Sequence, residues 1–220
     1  MTPTLDTRPA LLLGALMLVP ATPALARKPV NTVRINAKPQ AITFGDAASV
    51  FGRLKGRSPG HRPVVLLGAP FPFQTFGIIA STTTGPKGRY AFRVAPPITM
   101  RYQAISTTAP SQSSALVQLT VRQRVEAVVS DTSPRRHGHV TFSGAVGPGN
   151  PGAIAYIQRR SIFTGRFRTI KRTRLKDAGL TRSVYRTKVG ISRSGLYAVR
   201  VRATNYVATG YSGLIAIHVH

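Results

Sequence analysis

An internal repeat constrains the fold of this chain more than any other feature. Three pairs of residues recur at a spacing of 95: Tyr90 with Tyr185, Val94 with Val189, and Tyr102 with Tyr197. Upstream of them, Gly52 corresponds to Gly144. Repetition over this distance predicts two copies of one structural unit. A division into 27–123 and 124–220 gives two halves of 97 residues, which we predict to be separate domains.

Each half reads as short strands separated by Gly, Pro and Ser, with no sustained helical period. The alternation is clearest near the end of the first half, where Val117, Leu119 and Val121 are predicted to face inward. Such strands form a sheet with one buried face and one wet face. About seven strands in about 100 residues is typical of an immunoglobulin-like sandwich. The predicted fold class is therefore all-β, with two tandem immunoglobulin-like β-sandwich domains after an N-terminal signal peptide.

The stretch Thr82–Val94 predicts a hairpin that builds the sheet and carries no chemistry. Tyr90, Phe92 and Val94 should fill the core, while the residues between them face solvent. Gly85 and Gly88 should supply turn conformations that other residues avoid. We also expect Tyr102 and Tyr197 to be either tyrosine-corner residues, with the hydroxyl bonded back to the backbone, or plain core tyrosines.

Several segments carry a family resemblance. They read FGDAASVFGRLKG, RPVVLLG, TTTGPKGRYAFRV, TMRYQA and LVQLTV, in that order. With these segments the chain resembles tandem bacterial Ig-like domains of exported actinobacterial proteins, closely over 41–121 and more loosely over 138–220. The resemblance implies the sandwich fold but no particular role, because this fold hosts many unrelated functions.

The N-terminus has the layout of a secretory signal peptide. Arg8 precedes the apolar run Ala10–Val19, and Pro23–Ala26 supplies small residues for cleavage. The run is shorter than the roughly 20 residues that span a bilayer. We expect cleavage after Ala26, with 1–26 removed, and a secreted, extracellular or envelope-associated product without a membrane span. An uncleaved anchor is the alternative. The chain has no cysteine, so no disulfide stabilises it.

The charge is strongly basic, with 31 lysines and arginines against five acidic residues and a net charge of +26. Such a surface attracts polyanions. The densest cluster lies between Gln158 and Lys176. On a hairpin, alternating members of this cluster share a face and should form a positive ridge, and arginine forks match phosphate, sulfate and carboxylate geometry. The predicted polyanion-binding residues are Arg159, Arg160, Arg166, Arg168, Lys171, Arg172, Arg174 and Lys176. The alternative is a solvated sheet face in an arginine-rich chain.

Other motifs do not assemble a reactive site. Gly56–Gly60 matches the G-x-S-x-G nucleophile elbow, but that motif needs a strand-to-helix turn, and strands flank it here. His137 with His139, and His218 with His220, could each chelate a metal, but only a convergence of both pairs would close a site. We therefore predict no catalytic residue, no metal and no cofactor. Sequence-specific nucleic-acid binding is not expected either, since no recognition helix or RNA-binding signature is present.

The leading functional hypothesis is a non-enzymatic, envelope-associated structural or adhesive protein. Its expected partner is an anionic cell-envelope or extracellular polymer. The alternative is a carbohydrate- or ligand-binding accessory module of the cell surface, which would need an exposed aromatic platform. An enzyme would need a converging polar site.

Overall fold

The described residues of this computed structural model, 32–161 and 163–220, form β-strands, turns and loops. The predicted all-β fold class is confirmed. The described part contains no helix, and so none that is long and apolar enough to cross a membrane. The predicted signal peptide, 1–26, lies outside these residues.

The first half contains nine strands. They are β1 (Thr32–Lys38), β2 (Ala41–Thr43), β3 (Ala48–Lys55), β4 (Pro63–Pro70), β5 (Gly77–Thr83), β6 (Arg89–Val94), β7 (Met100–Ser106), β8 (Gln112–Ser113) and β9 (Val117–Arg122). They form two sheets. One has the order β1-β3-β6, and the other has the order β2-β9-β7-β4-β5, with β8 beside β7. All these pairings are antiparallel except β2 with β9.

The second half repeats this plan with ten strands. They are β10 (Arg124–Val125), β11 (Val128–Val129), β12 (Gly138–Gly147), β13 (Ile154–Arg160), β14 (Phe167–Arg174), β15 (Lys176–Asp177), β16 (Ser183–Ile191), β17 (Gly195–Val201), β18 (Gly210–Tyr211) and β19 (Ile215–Ile217). One sheet has the order β10-β12-β16-β15, with β11 beside β12. The other has the order β14-β13-β17-β18, with β19 beside β17.

Each pair of sheets encloses its own apolar core. The first core includes Val50 from the three-stranded sheet and Leu66 and Tyr102 from the six-stranded sheet. The second includes Phe142 from β12 and Ile157 from β13. The predicted alternation of β9 is observed, because Leu119 and Val121 are fully buried while Gln118 and Arg122 are exposed. Burial of large aliphatic side chains of this kind contributes about 1.5–3 kcal/mol each.

A glycine and a tyrosine on neighbouring strands hold a third backbone segment beside them in both halves. In the first half that segment is β1, and in the second it is the link between β10 and β11. Gly52 lies opposite Tyr90, and the Tyr90 hydroxyl donates a hydrogen bond to the Arg34 carbonyl oxygen on β1 at 2.5 Å. Gly144 lies opposite Tyr185, and the Tyr185 hydroxyl donates to the Glu126 carbonyl oxygen at 2.8 Å. A Cβ on either glycine would collide with that same carbonyl oxygen. This arrangement, the glycine–tyrosine clamp, explains why the sequence repeats both residues.

Replacing a clamp glycine should therefore be costly. We expect Gly52→Ala and Gly144→Ala each to lower the free energy of unfolding by about 3 kcal/mol, because overpacking adds to the loss of a buried hydrogen bond. Urea unfolding of the purified variants measures this. Gly190→Ala is the matched control, since a Cβ at this position of β16 meets nothing within 4 Å. If all three variants unfold alike, the clamp is not a structural constraint.

The predicted Thr82–Val94 hairpin is wrong, although its inward pattern is right. Strand β5 pairs with β4, whereas β6 pairs with β3 in the opposite sheet, so the intervening turn crosses from one sheet to the other. Tyr90, Phe92 and Val94 are buried as expected. Gly88 has a φ of 74°, in the left-handed region that favours glycine. Gly85 lies outside that region, so its predicted special conformation is wrong.

The two candidate corner tyrosines differ. Tyr197 donates its hydroxyl hydrogen to the Arg193 carbonyl oxygen at 2.6 Å, four residues upstream, which is the tyrosine-corner arrangement. The Tyr102 hydroxyl lies 3.6 Å from the Met100 sulfur and bonds to no backbone atom among the described residues. Tyr102 is therefore a plain core tyrosine, and burial raises its pKa to about 12.

Buried tyrosines should make the fold sensitive to alkali. In the unfolded chain a tyrosine ionises near pH 10. Burial also raises the pKa of Tyr90 and of Tyr185, where the Glu126 carboxylate adds to the shift. Above about pH 10 the unfolded state thus binds fewer protons than the folded state, and stability falls as the pH rises. Below the unfolded pKa this contribution is fully present.

The loss of unfolding free energy between about pH 9 and about pH 11 should be smaller in Tyr102→Phe than in the parent protein, because one ionisable hydroxyl is removed. Urea unfolding at the two pH values measures it. Comparison with the parent protein cancels the effect of lysine deprotonation. Equal losses in both proteins would mean that Tyr102 ionises in the folded state as readily as in the unfolded chain.

One loop of the second half contacts the first half directly. Val207, between β17 and β18, is 2% exposed and belongs to the first core. The Ala208 amide donates to the Val121 carbonyl oxygen at 2.7 Å, and the Gln123 amide donates to the Ala208 carbonyl oxygen at 3.1 Å. Arg124 forms an ion pair with Asp46 at 2.5 Å. The halves are thus joined by apolar, hydrogen-bonded and ionic contacts.

The domain boundary between 27–123 and 124–220 stays a prediction. We expect each half, produced alone, to melt cooperatively because each encloses its own core. The isolated first half should be about 2 kcal/mol less stable than the same half within the joined chain, since it lacks Val207. Thermal unfolding of the two halves and of the joined chain decides this. If neither half folds alone, the halves are one cooperative unit.

Candidate anion-binding face

The outer side of the sheet β14-β13-β17-β18 brings basic and aromatic side chains together. Along β13, Ala155 and Ile157 enter the second core, so Tyr156 and Gln158 project from the opposite side. Tyr156 lies opposite Arg172 on β14 and Arg200 on β17. Arg200 in turn lies opposite Tyr211 on β18. A row of alternating arginine and tyrosine therefore crosses four strands.

Three guanidinium groups surround the Tyr156 ring. The Cζ atoms of Arg202, Arg200 and Arg172 lie 4.8, 5.4 and 5.6 Å from the ring centroid. These distances are within the roughly 6 Å over which a cation is attracted to an aromatic face. We call Tyr156, Arg172, Arg200, Arg202 and Tyr211 the arginine–tyrosine face. The Tyr156 ring attracts each of these cations and so partly offsets their mutual repulsion.

No carboxylate neutralises this face within the described residues. The one ion pair among them joins Arg124 to Asp46, on other strands. Asp131 and Asp177 instead accept hydrogen bonds from backbone amides in their own loops. The Nε atom of Arg200 is buried and has no acceptor in the described part of the chain. The donors that this face offers to an anion are therefore those of the exposed Arg172 and Arg202.

The eight predicted polyanion-binding residues do not form one ridge. Strands β13 and β14 are antiparallel neighbours, as a hairpin requires, but a bulge at Ile170 and the alternation of side chains distribute the cations over several surfaces. Arg172 belongs to the arginine–tyrosine face, and Arg174, two residues on, lies on the same side. The Nε atom of Arg160 donates to the Gly165 carbonyl oxygen at 3.2 Å.

The remaining members lie elsewhere. Arg159 and Arg168 line a cavity of about 370 Å³ at the end of the second core, together with Arg193 and the corner residue Tyr197. Burial raises the pKa of Tyr197, and the positive charge of Arg159 opposes that shift. Arg166 is exposed in the β13–β14 loop, and Lys171 is exposed on β14. Lys176 lies on β15 in the other sheet, so placing it on the hairpin was wrong.

Sequence reasoning missed Tyr156, Arg193, Arg200, Arg202 and Tyr211 as members of a basic site. The alternation of Tyr197, Val199 and Val201 with the residues between them does predict that Arg200 and Arg202 face outward. Only the cross-strand register, however, shows that they meet Arg172 around one ring. The nucleophile-elbow motif and the two histidine pairs are not part of this face. Ser58, in Gly56–Gly60, occupies the loop between β3 and β4, and no group of three or more metal-ligating side chains forms among 32–161 and 163–220.

Comparisons with known proteins add little. No family model matches the chain, and no curated protein matches its sequence. Among solved structures, red sea bream transglutaminase superposes with a TM-score of 0.40 at 11% identity. The superposition covers 87% of this chain and 32% of the transglutaminase, so the chain spans about a third of that protein's length. At this level the likeness indicates neither an activity nor a substrate.

Proposed function

We propose that the protein is exported and binds anionic cell-envelope or extracellular polymers, without catalysis, through the arginine–tyrosine face. The supporting observation is the cluster of three guanidinium groups within 6 Å of the Tyr156 ring centroid, with no carboxylate paired to them in the described part of the chain. Guanidinium forks suit phosphate, sulfate and carboxylate groups. Binding of a polyanion would also relieve the repulsion among these charges.

The internal repeat argues against a merely compositional origin for this face. The pair Gly68 and Tyr102 in the first half corresponds to the pair Arg159 and Tyr197 in the second. Three residues earlier on the same two strands, Val65 therefore corresponds to Tyr156. The residues of the first half that correspond to Arg172, Arg200 and Tyr211 are Ser81, Ile105 and Ser113. The same sheet position is thus neutral in the first half, although both halves belong to one basic chain.

Export and the structural role rest on the sequence. The apolar run Ala10–Val19 and the small residues at Pro23–Ala26 support secretion. The resemblance to Ig-like domains of exported actinobacterial proteins supports a structural or adhesive role at the envelope. A chain with few carboxylates and many arginines is suited to a partner that carries the opposite charge.

Removing the charge of this face should weaken polymer binding and its dependence on salt. We expect the triple variant Arg172→Ser, Arg200→Ser, Arg202→Ser to elute earlier from a column of anionic polysaccharide. With duplex DNA as a polyanion standard, the slope of log affinity against log salt should become less negative by about 0.9 per lost contact, or about 2.7 in total. The melting temperature should change little, because these side chains lie outside the core.

The triple variant Arg135→Ser, Arg136→Ser, Arg182→Ser is the matched control. It removes the same charge from three exposed arginines on the loops that lead into β12 and β16, strands of the other sheet. This control should retain nearly the parent slope. If both triple variants lose binding equally, net charge alone attracts the polymer and the arginine–tyrosine face has no particular role.

A further inference from the structure

A second row of arginines crosses the three-stranded sheet of the first half. Arg34 on β1 lies opposite Arg53 on β3, which lies opposite Arg89 on β6. All three are exposed, on the side of the sheet that faces away from the first core. Since strands in a sheet lie about 4.8 Å apart, three like charges follow one another at close range. We call Arg34, Arg53 and Arg89 the arginine row.

Such a row is unfavourable without an anion. Like charges placed directly opposite on neighbouring strands destabilise a sheet. No carboxylate of the described residues pairs with these side chains. The Nε atom of Arg53 donates to the Lys87 carbonyl oxygen at 3.0 Å, which holds the middle guanidinium over the sheet. Lys38 and Arg93 lie on the same side, two rows further along. The sheet thus maintains a concentrated positive charge that has no internal partner among the described residues.

The row borders an open depression with an aromatic ring beside it. The depression has a volume of about 730 Å³, and the three arginines, Asn36 and Phe51 line it. Phe51 lies between Asn36 and Ala91 in the row next to the arginines, and its side chain is 37% exposed. An exposed aromatic ring can pack against the C–H face of a sugar ring, and guanidinium forks pair with sulfate or carboxylate groups. A chain of acidic sugars supplies both features.

The second half supplies an internal comparison for this row. The clamp hydroxyls bond to Arg34 in one half and to Glu126 in the other, so these residues are equivalent. Arg53 follows the clamp glycine of the first half, as Ala145 follows that of the second. Arg89 precedes the clamp tyrosine of the first half, as Val184 precedes that of the second. Ala145 and Val184 also lie opposite each other. The three equivalent positions of the second half therefore read acid, alanine, valine, and Lys176 on β15, a strand without a counterpart in the β1-β3-β6 sheet, lies beside Val184. An arginine-rich composition alone does not explain this difference.

We propose that the arginine row and Phe51 form a second binding site, for a linear acidic glycan that lies across the three strands. This site uses different residues from the arginine–tyrosine face and goes beyond the function proposed above. The guanidinium groups contact sulfate or carboxylate groups of successive sugars, and the Phe51 ring packs against a sugar ring. With one anionic site in each half, a single chain binds two polymer segments and joins them.

Calorimetry on the full chain tests the site. The probes are a sulfated hexasaccharide, a hexasaccharide of uronic acids, a neutral hexasaccharide and a single-stranded DNA hexamer. We expect two binding events per chain with at least one acidic hexasaccharide and none with the neutral one. The sulfated and uronic probes distinguish sulfate from carboxylate as the preferred group. The variant Arg34→Ser, Arg53→Ser, Arg89→Ser should bind one hexasaccharide, as should the triple variant of the arginine–tyrosine face.

Two further measurements make the result specific. Phe51→Ala should weaken hexasaccharide binding at this site about tenfold. The melting temperature of the arginine-row variant should stay the same or rise, because a repulsive row is removed. If that triple variant does not fold, hexasaccharide binding by Arg53→Ser and by Phe51→Ala is compared with binding by the parent protein instead. The control Arg135→Ser, Arg136→Ser, Arg182→Ser should still bind two hexasaccharides.

The alternative outcomes separate the two proposals. One binding event that survives in the arginine-row variant but not in the arginine–tyrosine variant overturns this inference and leaves the proposed function standing. The reverse pattern overturns the proposed function and leaves this inference standing. Tighter binding of the DNA hexamer than of either acidic hexasaccharide overturns the assignment to a glycan. Equal losses in the control variant overturn both proposals.

Discussion

The glycine–tyrosine clamp is the constraint on which the arrangement of both halves depends. The tyrosine hydroxyl reaches across the neighbouring strand to the carbonyl oxygen beyond it only where that strand carries no side chain, and Gly52 and Gly144 provide that space. The tyrosine ring then covers the glycine, and its hydroxyl donates to a carbonyl oxygen on the backbone segment beyond the glycine strand. An unpartnered buried polar group is expensive, so the hydroxyl and the carbonyl oxygen each stabilise the placement of the other. In the first half the clamp also aligns the three strands whose outer face carries the arginine row.

Positive charge is distributed differently over the two halves, although the strands are arranged alike. The first half presents its arginine row on the β1-β3-β6 sheet, while the second presents its arginine–tyrosine face on the β14-β13-β17-β18 sheet. At the equivalent positions each half carries neutral or acidic residues. Because outward positions contribute little to the core, they can vary without loss of the fold. The repeated framework therefore supports two different charged surfaces.

The halves are also less independent than their repeated sequence suggests. A side chain such as Val207 is counted with the second half by sequence, yet it is buried in the first core. Backbone hydrogen bonds from Ala208 and to it reinforce this contact. A loop that lies far along the chain can complete a core elsewhere because burial depends on spatial proximity. Sequence spacing carries no information about such a contact.

The sequence by itself determined the all-β class, the repeat, and the inward or outward direction of strand residues such as Leu119 and Tyr90. These features depend on alternation and turn residues, which are local properties. Tertiary structure decided which strands pair, so β6 joined β3 rather than β5, and Lys176 joined a different sheet from Arg172. It also decided which cations meet, because Arg172 lies on β14, Arg200 and Arg202 lie on or just after β17, and both strands meet across β13, whose pairing with β14 contains a bulge. Register and pairing arise from contacts between distant segments, and a pattern read along one chain does not encode them locally.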